Sequence, residues 1–361
     1  MSELLVNTIK KADGTGSLTV PAESGTVVTT ASPSLGRRNL IINGAMQVAQ
    51  RGTSSTTYGY NSVDRFKAEY AGGTVTYSQA SSNSSDSPYT EGFRKYFRAT
   101  NTTAGSTPTT DFAYFTYYVE SQDIANSGWN HKSASSYITL SFWARSSLTG
   151  TYYVTLTNQD GTKYSYPASF DLTADTWEKQ TITVSGNSNL VFNDDNGQGL
   201  EIIIRPYTGT DYTASSKTAN AWSVKSSSAQ TPDFAQNWRA SAGATFDITG
   251  VQLEVGSVVT PFEHRSYGEE LALCQRYYYK PTDITANGNG MLGTPYKSDD
   301  SLRLVQVKFP VTMRSTPSLT VTASNTVDTN QIAPHGSDTL MSSVNTTFGA
   351  FLTAYEADAE L

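Results

Sequence analysis

From about residue 37 to residue 265, apolar and polar side chains alternate in short runs broken by polar turns. That is the pattern of strands in a sandwich or barrel. The runs are Thr74–Ser78, Lys95–Ala99, Phe112–Val119, Tyr137–Ala144, Tyr152–Thr157, Lys163–Phe170, Glu178–Val184, Leu200–Arg205 and Thr245–Val255. Between them stand Ser147–Gly150, Asn158–Gly161, Asn193–Gly199 and Tyr207–Gly209, whose Asn, Asp and Gly residues suit tight turns. No amphipathic stretch of helical length separates the runs, so a parallel βαβ sheet is excluded.

The pattern changes at both ends. Ser266-Tyr267-Gly268-Glu269 has the form of a helix capping box. Leu271, Cys274 and Tyr278, with Leu273 and Tyr277 beside them, follow at helical spacing, so a helix is predicted as far as Tyr278, before Pro281. It is either a core helix of one subunit or one that also packs on symmetry mates through Leu271, Cys274 and Tyr278. Further strands are expected at Leu304–Phe309, Ser318–Ala323 and about Thr347–Tyr355. Residues 1–36 carry Gly14, Gly16 and Gly25, and no aromatic residue precedes Tyr58. Such a segment cannot close a core of its own, so it is either a flexible tail or an arm that becomes ordered by docking on another chain. Three parts are therefore expected: an arm over 1–36, a large β-domain over 37–265, and a helix with a smaller β-domain over 266–361.

Composition sharpens the β reading. The 361 residues include 22 Tyr, 14 Phe and 5 Trp, and only 16% are charged against a usual figure of about 25%. A net charge of -7 with 25 scattered Lys and Arg leaves no footprint for nucleic acid. No apolar run approaches the ~20 residues that span a bilayer, and no basic block adjoins an apolar anchor, so membrane insertion is not expected. Met1–Thr8 has no apolar signal core, so export by the ordinary signal route is not expected. Cys274 is the single cysteine, which rules out a disulfide framework.

Searches for chemistry return little. The three His residues, His131, His264 and His335, have no second ligand at metal spacing, and no nucleophile-elbow, zincin or phosphate-loop motif occurs. No catalytic residue and no cofactor are expected. Asp194 and Asp195, in the oxygen-rich turn Asn193–Gly197, are either solvated or ligands to a structural calcium. Aromatic residues offer more. Alternation turns Ile138, Leu140, Phe142 and Ala144 inward and Tyr137, Thr139, Ser141, Trp143 and Arg145 outward. It likewise turns Tyr153 outward in the next run, and Glu201, Ile203 and Arg205 in the run from Leu200. If these strands share a sheet, Trp143, Tyr137, Tyr153, Arg145 and Arg205 form one face, suited to a sugar or to a subunit interface.

Several stretches resemble tailed-phage fibre proteins. Arg38–Gly52 (RNLIINGAMQVAQRG) and Asp64-Arg65-Phe66 are similar to the start of their jelly-roll domain, and Gly250–Gly256 with Pro261–Arg265 to its end. Ser266–Tyr278 resembles the helix that follows. Phe309–Pro317 and Asp358–Leu361 resemble the C-terminal domain. The resemblance spans 38–361 and implies an all-β protein: a jelly-roll sandwich like a carbohydrate-binding module, with an N-terminal attachment arm and a C-terminal helix leading into a small β-domain. Arg38–Gly52 would form its first strand, and Gly250 would mark a bulge in its last.

The resemblance also implies a non-enzymatic tail fibre, a homotrimer in a virion assembled in the host cytoplasm. Its partners would be other virion proteins through residues 1–36 and a bacterial surface polysaccharide. A head fibre, collar or capsid-decoration protein with a mainly structural role is the alternative. A polysaccharide depolymerase would need a long repetitive β-helix with carboxylates, which the chain lacks.

Overall fold

The computed structural model describes residues 9–10, 17–18, 37–281, 303–324, 332–334, 336–344 and 351–361. The chain divides into two compact units, Met1–Leu35 and Gly36–Leu361. In the first, β1 (Ile9–Lys10) pairs antiparallel with β2 (Ser17–Leu18), Ile9 lying opposite Leu18.

The second unit is built on a jelly-roll sandwich of two six-stranded sheets. The strands, in chain order, are β3 (Ser54–Ser55), β4 (Lys67–Ala71), β5 (Thr74–Ser81), β6 (Lys95–Thr103), β7 (Phe112–Glu120), β8 (Tyr137–Ser146), β9 (Gly150–Asn158), β10 (Tyr164–Leu172), β11 (Glu178–Ser185), β12 (Gln198–Thr208), β13 (Ser223–Val224) and β14 (Thr245–Val255). One sheet runs β11-β8-β14-β6-β5-β3 and the other β13-β10-β9-β12-β7-β4, with every named strand pair antiparallel. Short helices α1 (Ser87–Thr90) and α2 (Ser121–Ala125) fill connections. All nine runs expected from alternation are strands, lengthened by a residue or more at most ends.

Rings from both sheets interlock in the core. Tyr77 meets Phe115 edge-on at 5.4 Å, Phe97 meets Phe115 at 5.1 Å, Phe142 meets Phe170 at 5.3 Å and Tyr152 meets Phe246 at 5.1 Å. Such edge contacts add roughly 0.5–1.5 kcal/mol each to the burial of the rings. Gly250 has φ +62° and sits where the β14–β8 register slips between Thr249 and Gln252, so the expected bulge is present. A Cβ there would lie 2.7 Å from the Phe93 ring.

Arg38–Gly52 departs from expectation: it forms no strand. Asn43 and Met46 have φ of +61° and +57°, which breaks any extended run. The segment instead lies along β14, with Leu40 N donating to Leu253 O (2.9 Å) and Val251 N donating to Gly44 O (3.0 Å).

The capping box is present. Ser266 accepts from Glu269 N, the Glu269 carboxylate accepts from Ser266 N, and α3 (Tyr267–Gln275) begins there. The helix stops before Tyr278, short of the expected end. Tyr278 and Tyr279 form β15, which pairs with Asp358 and Ala357 of β20 (Phe351–Asp358). The remaining strands are β16 (Arg303–Lys308), β17 (Ser318–Ser324), β18 (Ile332–Pro334) and β19 (Thr339–Val344). They give two small sheets, β15-β20-β17 and β16-β19-β18. A second apolar cluster gathers Phe309, Met313, Tyr355, Ala357 and Ala359.

The two ends of this unit are joined by a buried polar hub. Arg65, fully buried, pairs with Glu360, donates to Tyr118 O (2.7 Å) and lies 3.4 Å above the Tyr277 ring. Arg51 pairs with Asp358 (3.0 Å) and Glu360 (3.3 Å) and covers Tyr278 at 3.5 Å. Arg276 makes a fork of two 2.9 Å bonds to Glu120, whose side chain is fully buried. Asn43 N donates to Glu270, tying the leading segment to α3.

Candidate functional site

β8 is the strand whose outward residues the alternation identified, and it lies between β11 and β14. Trp143 stands opposite Lys179 on one side and Thr249 on the other. Much of this outer face is covered. Thr139 Oγ1 donates to Gly256 O (2.7 Å), Glu254 accepts from Thr260 N (2.9 Å), and Glu263 N donates to Gln252 Oε1 (2.8 Å). The 256–263 segment therefore buries Thr139, Gln252 and Glu254.

Trp143 escapes that cover and is half-buried. Its indole N–H donates to Glu91 Oε2 (3.3 Å), which also takes Lys179 Nζ (2.9 Å). The Lys179 and Glu91 side chains are 33% and 38% exposed, so an acceptor and a donor flank the ring in reach of solvent. Thr181 and Thr183 of β11 are exposed on the same side, and Tyr137 at the start of β8 is 37% exposed.

Arg145 is not the free hydrogen-bonding partner expected beside Trp143. Its Nε and Nη2 both donate to Asp247 Oδ2 (2.9 and 2.8 Å), and Nη1 reaches Asp86 at 3.4 Å. Arg98 takes the same Asp247 through bonds of 2.7 and 2.9 Å. Asp247 is fully buried, so both guanidiniums are needed to compensate its charge. Arg145 also lies 4.6 Å above Trp177 and 5.6 Å above Tyr96, which fixes its plane.

Tyr153 and Arg205 do not join this face. β8 and β9 are consecutive, yet the turn between them carries the chain from one sheet to the other, so Tyr153 and Arg205 lie on the opposite side of the sandwich. Both are buried there, at 6% and 1% exposure. Tyr153 packs edge-on against Phe234 at 5.0 Å. Arg205 Nε donates to Thr155 Oγ1 (3.0 Å), and the guanidinium lies 4.4 Å above the Tyr114 ring. Glu201 beside them is saturated, accepting from Tyr118 OH (2.9 Å), Lys225 (3.0 Å) and Gln159 (3.1 Å). Burial raises the Tyr114 and Tyr153 pKa values, as expected for phenols shut away from water. The rings left open at this face are others: Tyr58, 51% exposed, donates to Glu69 beside Thr116, and the partly exposed Phe112 stacks on Tyr114 at 4.6 Å.

The helix-contact expectation changes, and the Asp194–Asp195 turn is seen in place. Cys274 and Tyr278 are buried within the subunit at 0% and 1% exposure, so of the three residues expected at a threefold contact only Leu271 keeps accessible surface. Burial also pushes the Cys274 thiol pKa well up. The partly open apolar side chains of α3 are Leu271, Ala272 and Leu273, the last two lining a concavity of about 390 Å³ with Val311. Asp194 accepts from Asn126 Nδ2 (2.8 Å), and Asp195 accepts from Gly197 N (2.8 Å), closing its own turn. Among the described residues no three His, Cys, Asp or Glu side chains converge as metal ligands, and Asp194 and Asp195 both lie in the solvent-exposed turn.

Sequence reasoning missed Glu91, Trp177 and Asp247. Cross-strand register could have supplied Lys179 as the neighbour of Trp143, but nothing in the sequence marks Glu91, which arrives from the loop after α1.

No family model and no curated protein matches the chain. Solved structures with a similar strand layout include the enzymatically active domain of tailspike protein 4 of bacteriophage CBA120, at 13% identity over 60% of this chain and 21% of that one, TM-score 0.34. Another is the N-terminal cellulose-binding domain of Cellulomonas fimi β-1,4-glucanase C, at 10% identity over 59% and 99% of the two chains, TM-score 0.28. A third is an apo form cyclase from Fischerella sp., at 9% identity over 62% and 98%, TM-score 0.35. The chain thus spans about a fifth of the tailspike chain. At these scores the likeness says nothing about ligands.

Proposed function

We propose that this protein is a non-enzymatic tail fibre of a tailed phage, which attaches the virion to a polysaccharide on the bacterial surface. The observation that carries the reading is Trp143: a partly exposed indole on a largely covered sheet face, with its N–H on Glu91 and Lys179 Nζ 5.9 Å from its ring centroid. An apolar sugar face can cover such a ring while its hydroxyls bond the flanking carboxylate and ammonium. The likeness of 38–361 to fibre proteins supports the placement in a virion.

In this reading the fibre is a homotrimer joined through residues 266–361, with Leu271, Ala272 and Leu273 as the apolar contact. Residues 1–36 bind other virion proteins. The decisive measurement is retention of the purified protein on host cells or their extracted polysaccharide. Trp143→Ala should abolish retention while leaving the fold and the oligomer unchanged, and unchanged retention would remove the site.

The buried Tyr153 and Arg205 and the locked Arg145 favour a different role, a head fibre, collar or decoration protein whose sandwich only assembles. Immunogold label on the capsid or neck rather than the tail would support that reading.

A further inference from the structure

The open surface beside Trp143 extends well beyond the indole. Register sets alternate residues of β8 and β11 side by side: Trp143 opposite Lys179, Ser141 opposite Thr181, Thr139 opposite Thr183 and Tyr137 opposite Ser185. The two middle residues of β8, Ser141 and Thr139, are buried. Their neighbours Thr181 and Thr183 are exposed, and so is the Tyr137 ring at the far end. What stays open is a strip along β11 with an aromatic ring at each end and hydroxyls between.

The strip has defined sides. The 256–263 segment borders it over β8, where Thr139 Oγ1 donates to Gly256 O (2.7 Å). On the other side β11 is the last strand of its sheet, so no further strand of that sheet covers the edge.

Length and charge narrow the ligand. Trp143 and Tyr137 stand three rungs apart, about 20 Å along the strand, which a linear chain of roughly four sugar rings spans and a single ring does not. Lys179 Nζ is already paired with Glu91 (2.9 Å), and the other strip residues of β8 and β11 are uncharged. An acidic sugar would meet Glu91 as well as Lys179, and no counter-charge waits for it between Thr181 and Tyr137. A neutral chain loses nothing by that arrangement.

We propose that the strip from Trp143 to Tyr137 takes an uncharged, linear stretch of about four sugar units, stacked on the ring at each end and bonded to Thr181 and Thr183 between them. This rests on the Trp143 contact proposed above and gives that site its ligand class.

The test is retention of the full chain on extracted host polysaccharide, competed with di-, tetra- and hexasaccharides cut from it by partial acid hydrolysis. The tetrasaccharide should compete about tenfold better than the disaccharide, and the hexasaccharide should come within about twofold of the tetrasaccharide. Tyr137→Ala and Thr181→Glu, both at exposed positions, should fold like the parent and weaken the tetrasaccharide about tenfold. Retention should hold within about twofold between about 0.05 and 0.5 M NaCl, since no ion pair forms with the ligand. Equal competition by di- and tetrasaccharide, parent-like binding in either variant, or a steep fall with salt overturns the proposal; the Trp143 contact itself survives those results as long as Trp143→Ala loses retention. A parent that is not retained, or a Trp143→Ala chain retained like the parent, removes the Trp143 contact and the strip with it.

Discussion

Removal of one carboxylate at the C-terminus should destabilise the whole second unit. Glu360 is the only carboxylate that pairs with Arg65 among the described residues, and the two side chains are 5% and 1% exposed. Glu360→Ala would leave Arg65 with the Tyr118 carbonyl and the Tyr277 ring but no counter-charge. Breaking a buried pair from one side typically costs about 3–5 kcal/mol, because the remaining ion stays desolvated. Arg51 would lose its second partner too, although it keeps Asp358. With a urea slope of about 3 kcal/mol per molar, the midpoint should fall by about 1–1.7 M. The fluorescence of Trp238, fully buried in the sandwich core, reports the transition. Glu360→Gln keeps the shape and one acceptor, so it should lose less, about 1.5–3 kcal/mol. Arg65→Met combined with Glu360→Gln removes the stranded charge and should be less destabilised than Glu360→Ala alone. A loss below about 1 kcal/mol for Glu360→Ala would refute the assignment of Glu360 as the compensating charge.

Other expectations follow from single features. Trp143→Ala should lower binding to host polysaccharide severely, since covering the open part of the indole contributes about 1–2 kcal/mol per site and three copies compound it; a folded variant with normal adsorption would refute this. Gly44→Ala would place a Cβ 2.1 Å from the Val251 carbonyl, so thermal melting should show a loss of about 1–3 kcal/mol. Burial pushes Asp64 up to about 6 from 3.8, so the folded chain holds a proton that the unfolded chain releases. Its contribution is then complete below about pH 4 and lost as pH rises through about 6, amounting to about 3 kcal/mol, and Asp64→Asn should flatten that part of a stability–pH curve. A chain starting at Arg37 should melt like the full protein yet fail to join virions; particles that still incorporate it would place the anchor elsewhere.

Which parts of this molecule could be read beforehand depends on whether the determining contact is local. Alternation tells which way a side chain points within its own strand, and it placed Phe142 and Leu140 inside and Trp143 outside correctly. It carries no information about which sheet a strand joins. That is why Tyr153 and Arg205 were grouped with Trp143, although the short turn after β8 crosses the sandwich. The Ser266 cap is local and was legible; the end of α3 is not, because Tyr278 leaves the helix to pair with Asp358, eighty residues later in the chain. Arg38–Gly52 misled for a related reason. Its apolar run looks like a strand, but Asn43 turns the backbone over and fixes it by donating to Val48 O and Asp64 O.

The stretches that resemble fibre proteins have a physical meaning in this fold. Asn43, Arg51, Asp64 and Arg65 from the leading segment, Glu270, Arg276 and Tyr277 from the helix region, and Asp358 and Glu360 from the C-terminus take part in the buried polar hub. Buried charges tolerate little change, because each needs its partner in place. The hub is therefore where the sandwich is clamped to the helix and the C-terminal strand. Trp143, Glu91 and Lys179 lie outside all of those stretches, at the uncovered edge of the sheet face where substitution leaves no charge stranded in the core. The hub speaks for how the parts are held together. It cannot speak for a ligand, which is why the proposed glycan contact has to be decided at Trp143 itself, by substitution.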